Sequence, residues 1–212
     1  MSNNKIVSFF EKNGNEKAYK KNESIYTPKN APNEIFFIRE GAVKTGCYNE
    51  TGREITKFIF NKDEVFGESA ISGLKKRRDY AYAIENSKLL LVNLDIVKKC
   101  IKEDLDFSWY FVKLLSERNV AYDERLESMV FKDSRTRIID FLVDEIEKNG
   151  KHVGYEIVVK KLITHQEIAN LTSTSRQTVT TVLNVLKNHN IITFDRHRLL
   201  VRDLNKLKDG IC

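Results

Sequence analysis

The residues whose types and spacing most clearly suggest chemistry lie between Ser175 and Leu186, in the stretch SRQTVTTVLNVL. Val179, Val182, Leu183 and Leu186 fall at the spacing of one buried helical stripe. That leaves Arg176, Gln177, Thr180, Thr181 and Asn184 pointing away from a core. The side chains on the first two turns match what the DNA major groove offers: Arg grips guanine, Gln grips adenine, and a Thr methyl meets thymine. Ser175 is a good N-cap for this helix, and Thr172, Ser173 and Thr174 favour local side-chain bonds over helix continuation. A shorter helix precedes the break. Thr164 caps it, Glu167 three residues on completes a capping box, and Ile168, Ala169 and Leu171 supply its apolar face. Ala169 is small enough for a second helix to pass close over it. The pattern is that of a helix-turn-helix, with Thr164, Gln166, Thr174, Ser175, Arg176, Gln177, Thr180 and Thr181 as candidate DNA contacts.

A helical hairpin with its polar side facing water would carry similar periodicity, and two further features weigh against it. Ile191, Ile192 and Phe194, the polar turn Asp195 to His197, and Leu199 to Val201 read as two short strands, a wing directly after the second helix. Residues 151–212 hold ten Lys or Arg against five Asp or Glu, so five of the six net positive charges of the chain lie there. Contact with phosphates needs that excess.

The elements that must carry this head begin upstream. Residues 1 to about 20 read as a short helix around Ile6, Val7, Phe9 and Phe10, followed by a loose polar stretch. From Ser24 to Val92, short runs such as Glu34 to Arg39, Ala42 to Tyr48, Glu54 to Phe60 and Leu89 to Asn93 alternate or are solidly apolar. Turn formers separate them, with Gly41 and Gly52 free to take positive φ. Many short strands predict a barrel or sandwich. From Leu94 the pattern turns helical, and Asp106 to Phe131 contains neither Gly nor Pro. Within it Leu115, Asn119, Tyr122, Leu126 and Met129 step by four, three, four and three, the period of a two-helix seam, although the stripe could instead pack on its own barrel. A helix this long outreaches one domain, which favours the seam. Lys132, Asp133, Ser134 and Arg135 form a polar break and candidate hinge before helical spacing resumes at Ile138.

At 212 residues, 41% hydrophobic and 31% charged, the composition is that of a soluble globular chain with room for two domains. No apolar run approaches the roughly 20 residues of a membrane helix, and no secretory signal is evident, so a cytoplasmic location is expected. Cys47, Cys100 and Cys212 are odd in number and far apart, and are read as ordinary thiols rather than disulfide or metal ligands. Neither a two-His metalloprotease motif, a Gly-rich phosphate loop nor a nucleophile elbow is present, so no enzyme is expected.

A strand-rich first domain, a long helix, a short polar hinge and a winged helix-turn-helix resemble the Crp/Fnr family of bacterial transcription regulators over nearly the whole chain. The residues that carry the likeness are Gly41 and Gly52 at β-roll turns, Phe66-Gly67-Glu68 opening a short helix, Phe131 and Asp133 at the hinge, and Ser175 to Val179. The resemblance implies an α+β architecture in three parts. Residues 1–105 would form a jelly-roll (double-stranded β-helix) domain that senses a small effector, 106–131 a dimerisation helix, and 132–212 the winged helix-turn-helix. The expected partners are a second copy of the chain and a two-fold-symmetric double-stranded operator. The expected alternative is a cyclic-nucleotide-binding signalling module whose C-terminal domain contacts protein.

In family members that bind cyclic AMP, the Phe-Gly-Glu turn holds the phosphate and ribose, and an Arg-Ser-Ala segment supplies the cation. The corresponding effector residues here would be Gly67, Glu68, Ser69, Arg77, Arg78, Tyr122 and Asp123. Gly67 and Glu68 match, and Arg77 or Arg78 could supply the charge. Asp79 opposes a phosphate, however, and Tyr122 and Asp123 replace a base-reading hydroxyl pair. These departures count against cyclic AMP, and Glu68 and Arg78 could simply pair with each other. An iron–sulfur cluster needs about four clustered cysteines, and haem an axial His; His152, His165, His189 and His197 all lie beyond the hinge. Both modes are disfavoured, although Cys47 could serve as a haem ligand. In relatives the position of Arg176 reads guanine. Gln177 stands where many have Glu and Thr181 where some have Arg, so a shifted operator preference is expected. An activator would also touch RNA polymerase, and Asn149 to Val159 sits where relatives make that contact.

Overall fold

The computed structural model describes residues 3–160, 163–195 and 198–209. The chain divides into two compact units that meet between Tyr122 and Asp123, inside one long helix. The first unit opens with α1 (Asn3–Asn13). It continues through β1 (Asn15–Tyr19), β2 (Ser24–Tyr26), β3 (Glu34–Glu40), β4 (Val43–Tyr48), β5 (Glu54–Phe60), β6 (Val65–Phe66), a 3₁₀ turn (Glu68–Ser72), β7 (Tyr80–Ala83) and β8 (Ser87–Asn93). Helices α2 (Leu94–Glu103) and α3 (Leu105–Phe131) follow, and α3 runs on into the second unit.

The strands pair antiparallel in two four-stranded sheets, ordered β1-β8-β3-β6 and β2-β7-β4-β5, the jelly-roll of an α+β protein. The solid apolar run of β3 follows from burial on both faces. Phe36 and Ile38 enter the aromatic core with Phe60 and Phe66. Ile35 and Phe37 turn the other way, onto Phe10, Phe107 and Phe111. Gly41 takes φ 90°, and a Cβ there would lie 2.3 Å from Ser87 Oγ and 2.6 Å from the Asn86 carbonyl, so only glycine fits this turn.

Two expectations need correction here. The loose polar stretch after α1 is β1, paired along its length with β8. It buries only Tyr19, so as an edge strand it shows no alternation to read. The hinge is also shorter than predicted, because Ser134 and Arg135 already belong to α4 (Ser134–Asn149). Asp133 caps that helix, its carboxylate accepting from the Thr136 N–H at 2.7 Å.

After α4 the second unit continues through β9 (Gly150–Val153), β10 (Glu156–Lys160), α5 (His165–Thr172), α6 (Arg176–Asn188), β11 (Ile192–Phe194), β12 (Arg198–Val201) and α7 (Leu204–Asp209). Its sheet is ordered β11-β12-β10-β9, and one core joins Ile138, Leu142 and Ile146 of α4 to Ile168, Val179, Leu183 and Leu199. The segment Asn149 to Val159 is mostly a hairpin whose second strand pairs with β12 and buries Val159. The stretch from Lys151 through the tip to Tyr155 is exposed, with Val153 61% exposed and Tyr155 fully exposed. The wing turn at Arg196 and His197, and Cys212, lie outside the described residues.

Candidate nucleic-acid interface and effector turn

Each start signal of the reading head is made as hydrogen bonds. Thr164 Oγ1 accepts from the Glu167 N–H at 3.2 Å while Glu167 reaches back to the Thr164 N–H at 2.9 Å, a complete capping box. Ser175 Oγ accepts from the Thr178 N–H at 3.0 Å and opens α6. Between the helices Ser173 adopts a left-handed conformation, and the Thr174 N–H bonds to the Ala169 carbonyl at 2.9 Å. From α4, Arg137 donates to the Thr172 carbonyl at 2.9 Å, holding the end of α5.

Burial of Val179, Val182, Leu183 and Leu186 fixes the rotation of α6, leaving Arg176, Gln177, Thr181 and Asn184 exposed on one side. Gln166 is exposed on α5 and donates to Asn170 Oδ1 at 2.9 Å. The Thr174 hydroxyl donates to the Ser175 carbonyl at 3.1 Å. Thr180 is half-buried, and its hydroxyl lies 2.9 Å from the Arg176 carbonyl and 3.1 Å from His165 Nδ1. His165 was not among the residues the sequence singled out for this face. Its signal was its place as the first residue of a capped helix beside the recognition helix. Burial, then the Arg176 charge, holds its ring below the ordinary histidine range.

In the first unit Gly67 opens the 3₁₀ turn with φ 82°, and a Cβ there would lie 2.9 Å from the Phe36 ring and 3.1 Å from Arg77 Nη1. Arg77 is only 4% exposed. It donates to the Gly67 carbonyl at 2.9 Å and to the Glu34 carbonyl, with its guanidinium 4.4 Å above the Tyr26 ring. Phe36 and Phe66 stack at 4.8 Å, and Phe66 and Phe60 at 5.4 Å. At the far end Arg118 from α3 lies 4.6 Å over Phe60 and 4.9 Å over Phe58, and forms an ion pair with Glu68 at 3.7 Å. An aromatic stack thus runs between two guanidinium groups.

Glu68 therefore pairs with Arg118, whereas Arg78 is exposed. Sequence reasoning missed Arg118. The usable signal was its place four residues beyond Leu114 on the stripe begun by the buried Phe107, Phe111 and Leu114, where a partly buried charge must meet a partner. Burial pushes the Glu68 carboxyl up, with backbone hydrogen bonding and Arg118 pulling it back. Burial likewise raises Asp79, opposed by Lys57, Arg77 and a hydrogen bond from Tyr26. Ser69 is exposed within the 3₁₀ turn, and Tyr122 sets its ring edge on Phe58 at 4.9 Å. Asp123 is exposed on α3. Leu115, Asn119, Tyr122, Leu126 and Met129 are all exposed on that helix; the side it packs on its own roll carries Phe107, Phe111 and Leu114.

A β-roll with a glycine-opened 3₁₀ turn, followed by a capped helix-turn-helix and wing, defines a DNA-binding regulator with an effector-type domain. A family model for the cyclic nucleotide-binding domain matches residues 16–104, and one for the Crp-like helix-turn-helix domain matches residues 136–209. The chain belongs to the Crp/Fnr family of transcription regulators. It is similar to the global nitrogen regulator of Nostoc sp., 28% identical over 185 residues that cover 86% of this chain and 83% of the relative. The structure of a CooA mutant from Carboxydothermus hydrogenoformans superposes with a TM-score of 0.81 at 27% identity, covering 95% of this chain and 89% of that one. FixK2 from Bradyrhizobium japonicum shares the fold, with a TM-score of 0.80 at 19% identity, over 92% of this chain and 96% of that one.

Proposed function

We propose that this regulator acts as a homodimer on a two-fold-symmetric operator, performs no chemistry, and reads each half-site through α6. The carrying observation is that α6 presents Arg176, Gln177 and Thr181 together on its exposed first turns, while the apolar stripe that fixes its rotation is buried. Arg176 would fix one guanine, and Gln177 and Thr181 would set neighbouring bases. Thr164, Gln166, Thr174, Ser175 and Thr180 would hold the helices at the phosphates and the groove edge. The exposed stripe Leu115, Asn119, Tyr122, Leu126 and Met129 supports a seam with a second copy, with α3 from about residue 106 to 131 joining the sensing part to the reading part.

For the β-roll we propose a small effector other than cyclic AMP, or none. Nη1 and Nη2 of Arg77 each donate to a backbone carbonyl, of Gly67 and of Glu34, its Nε makes no hydrogen bond among the described residues, and the Asp79 carboxyl beside it opposes a phosphate. Any contact with RNA polymerase would fall to the segment Asn149 to Val159, exposed from Lys151 to Tyr155. Among the described residues no helix is long and apolar enough to cross a membrane.

The test is binding to operator and to mixed-sequence duplex, with and without Arg176→Ala. The substitution should cost about 1 to 3 kcal/mol on operator and relax preference at one base pair. An equal loss on both duplexes would remove Arg176 from the reading role, and binding insensitive to salt would remove DNA as the partner.

A further inference from the structure

We infer that His165 is a contact to a DNA phosphate that takes up a proton when the reading head binds. The inference rests on the DNA-reading assignment above and adds to it a dependence on pH.

Hydrogen-bond geometry decides which ring nitrogen can act. The Thr180 hydroxyl has one hydrogen, directed to the Arg176 carbonyl at 2.9 Å, so towards His165 at 3.1 Å it presents a lone pair. Nδ1 must then carry the hydrogen of that bond. Nε2 is the basic nitrogen of the neutral ring. Packing holds the ring in place, because Phe194 of β11 meets it edge to face at 5.5 Å.

The charges facing the ring favour an anion. Arg176 on α6 is the charge that acts on the ring; the Lys187 ammonium lies 5.5 Å over the Phe194 ring that packs against it. The N-terminus of α5, where His165 is the first residue, adds its partial positive charge. The carboxylate of its own first turn, Glu167, is turned back onto the Thr164 N–H and hydroxyl, both at 2.9 Å. Burial and Arg176 accordingly hold the free imidazole neutral at neutral pH. A DNA phosphate brings the missing negative charge and reverses the balance. Binding then consumes a proton, and by linkage affinity rises as pH falls through the histidine range.

The experiment is an anisotropy titration of the full chain against a mixed-sequence duplex at fixed ionic strength, at about pH 6 and about pH 8. A phosphate contact needs no particular operator. The wild-type protein should tighten by roughly three- to tenfold at the lower pH. His165→Gln should stay near the weak limit at both, and His165→Arg near the tight limit at both. A pH response of equal size in wild type and His165→Gln would overturn the inference while leaving DNA binding intact. No salt-dependent binding at either pH would overturn the reading beneath it as well. Should either variant misfold, the His165 ring resonances of the wild type decide: its pKa should rise on adding duplex, and an unchanged value refutes the contact.

Discussion

At the scale of single residues, two arginines and a glutamate carry most of the specific content of the β-roll. Arg77 is tied to backbone carbonyls, whereas Arg118 is shared between the aromatic rings and Glu68. Burial raises the Glu68 carboxyl above its ordinary 4.5, so between that pH and its folded-state value the folded chain holds a proton that the unfolded chain has released. Its contribution to stability is complete below pH 4.5 and is lost as pH rises through the folded-state value. Asp79 adds the same sign, starting from 3.8. Thermal melts of the wild type should therefore show the midpoint drifting down over this window. Glu68→Gln should reduce the drift and keep an acceptor for Arg118; an unchanged drift would assign it to other groups. The exposure of Arg176 and Gln177 and the caps Thr164 and Ser175 could be read in the sequence because residue type and helical phase together define them. Arg118 could not, since phase reports that a position is buried but not which ring or carboxylate it meets.

Legibility at the scale of elements depended on length and on how many faces are buried. Helix α3 has no breaker over 27 residues, and α6 has a single apolar stripe, so both could be placed closely. Strand β3 could be recognised as a run but not as a strand covered on both sides. β1 and the β9–β10 hairpin were obscured, since each buries too little to leave an alternating pattern; β9 buries no residue at all. The stripe on α3 is the element on which the proposed assembly turns. Leu126 is 62% exposed, so its replacement should not disturb the core of a single chain. Leu126→Asp would place two carboxylates in a seam between copies, and light scattering should show a shift from dimer to monomer at micromolar concentration. A variant that remains dimeric would move the interface off this stripe.

For the whole molecule, charge and connectivity point the same way. Five of the six net positive charges lie in residues 151–212, the part that carries the helix-turn-helix and wing, and α3 belongs to both compact units. A head with one recognition helix would read only half of a two-fold site, so the proposed seam on α3 and the proposed reading face of α6 would belong to one mechanism. In the proposed assembly two chains, joined through α3, read one duplex. Sedimentation of the protein with a selected operator duplex measures this directly, over a range of salt concentrations. The predicted result is a complex of two chains per duplex whose affinity falls steeply with added salt, and which is lost together with the dimer in Leu126→Asp. One chain per duplex, or a two-chain complex that survives when the protein is monomeric, would contradict it.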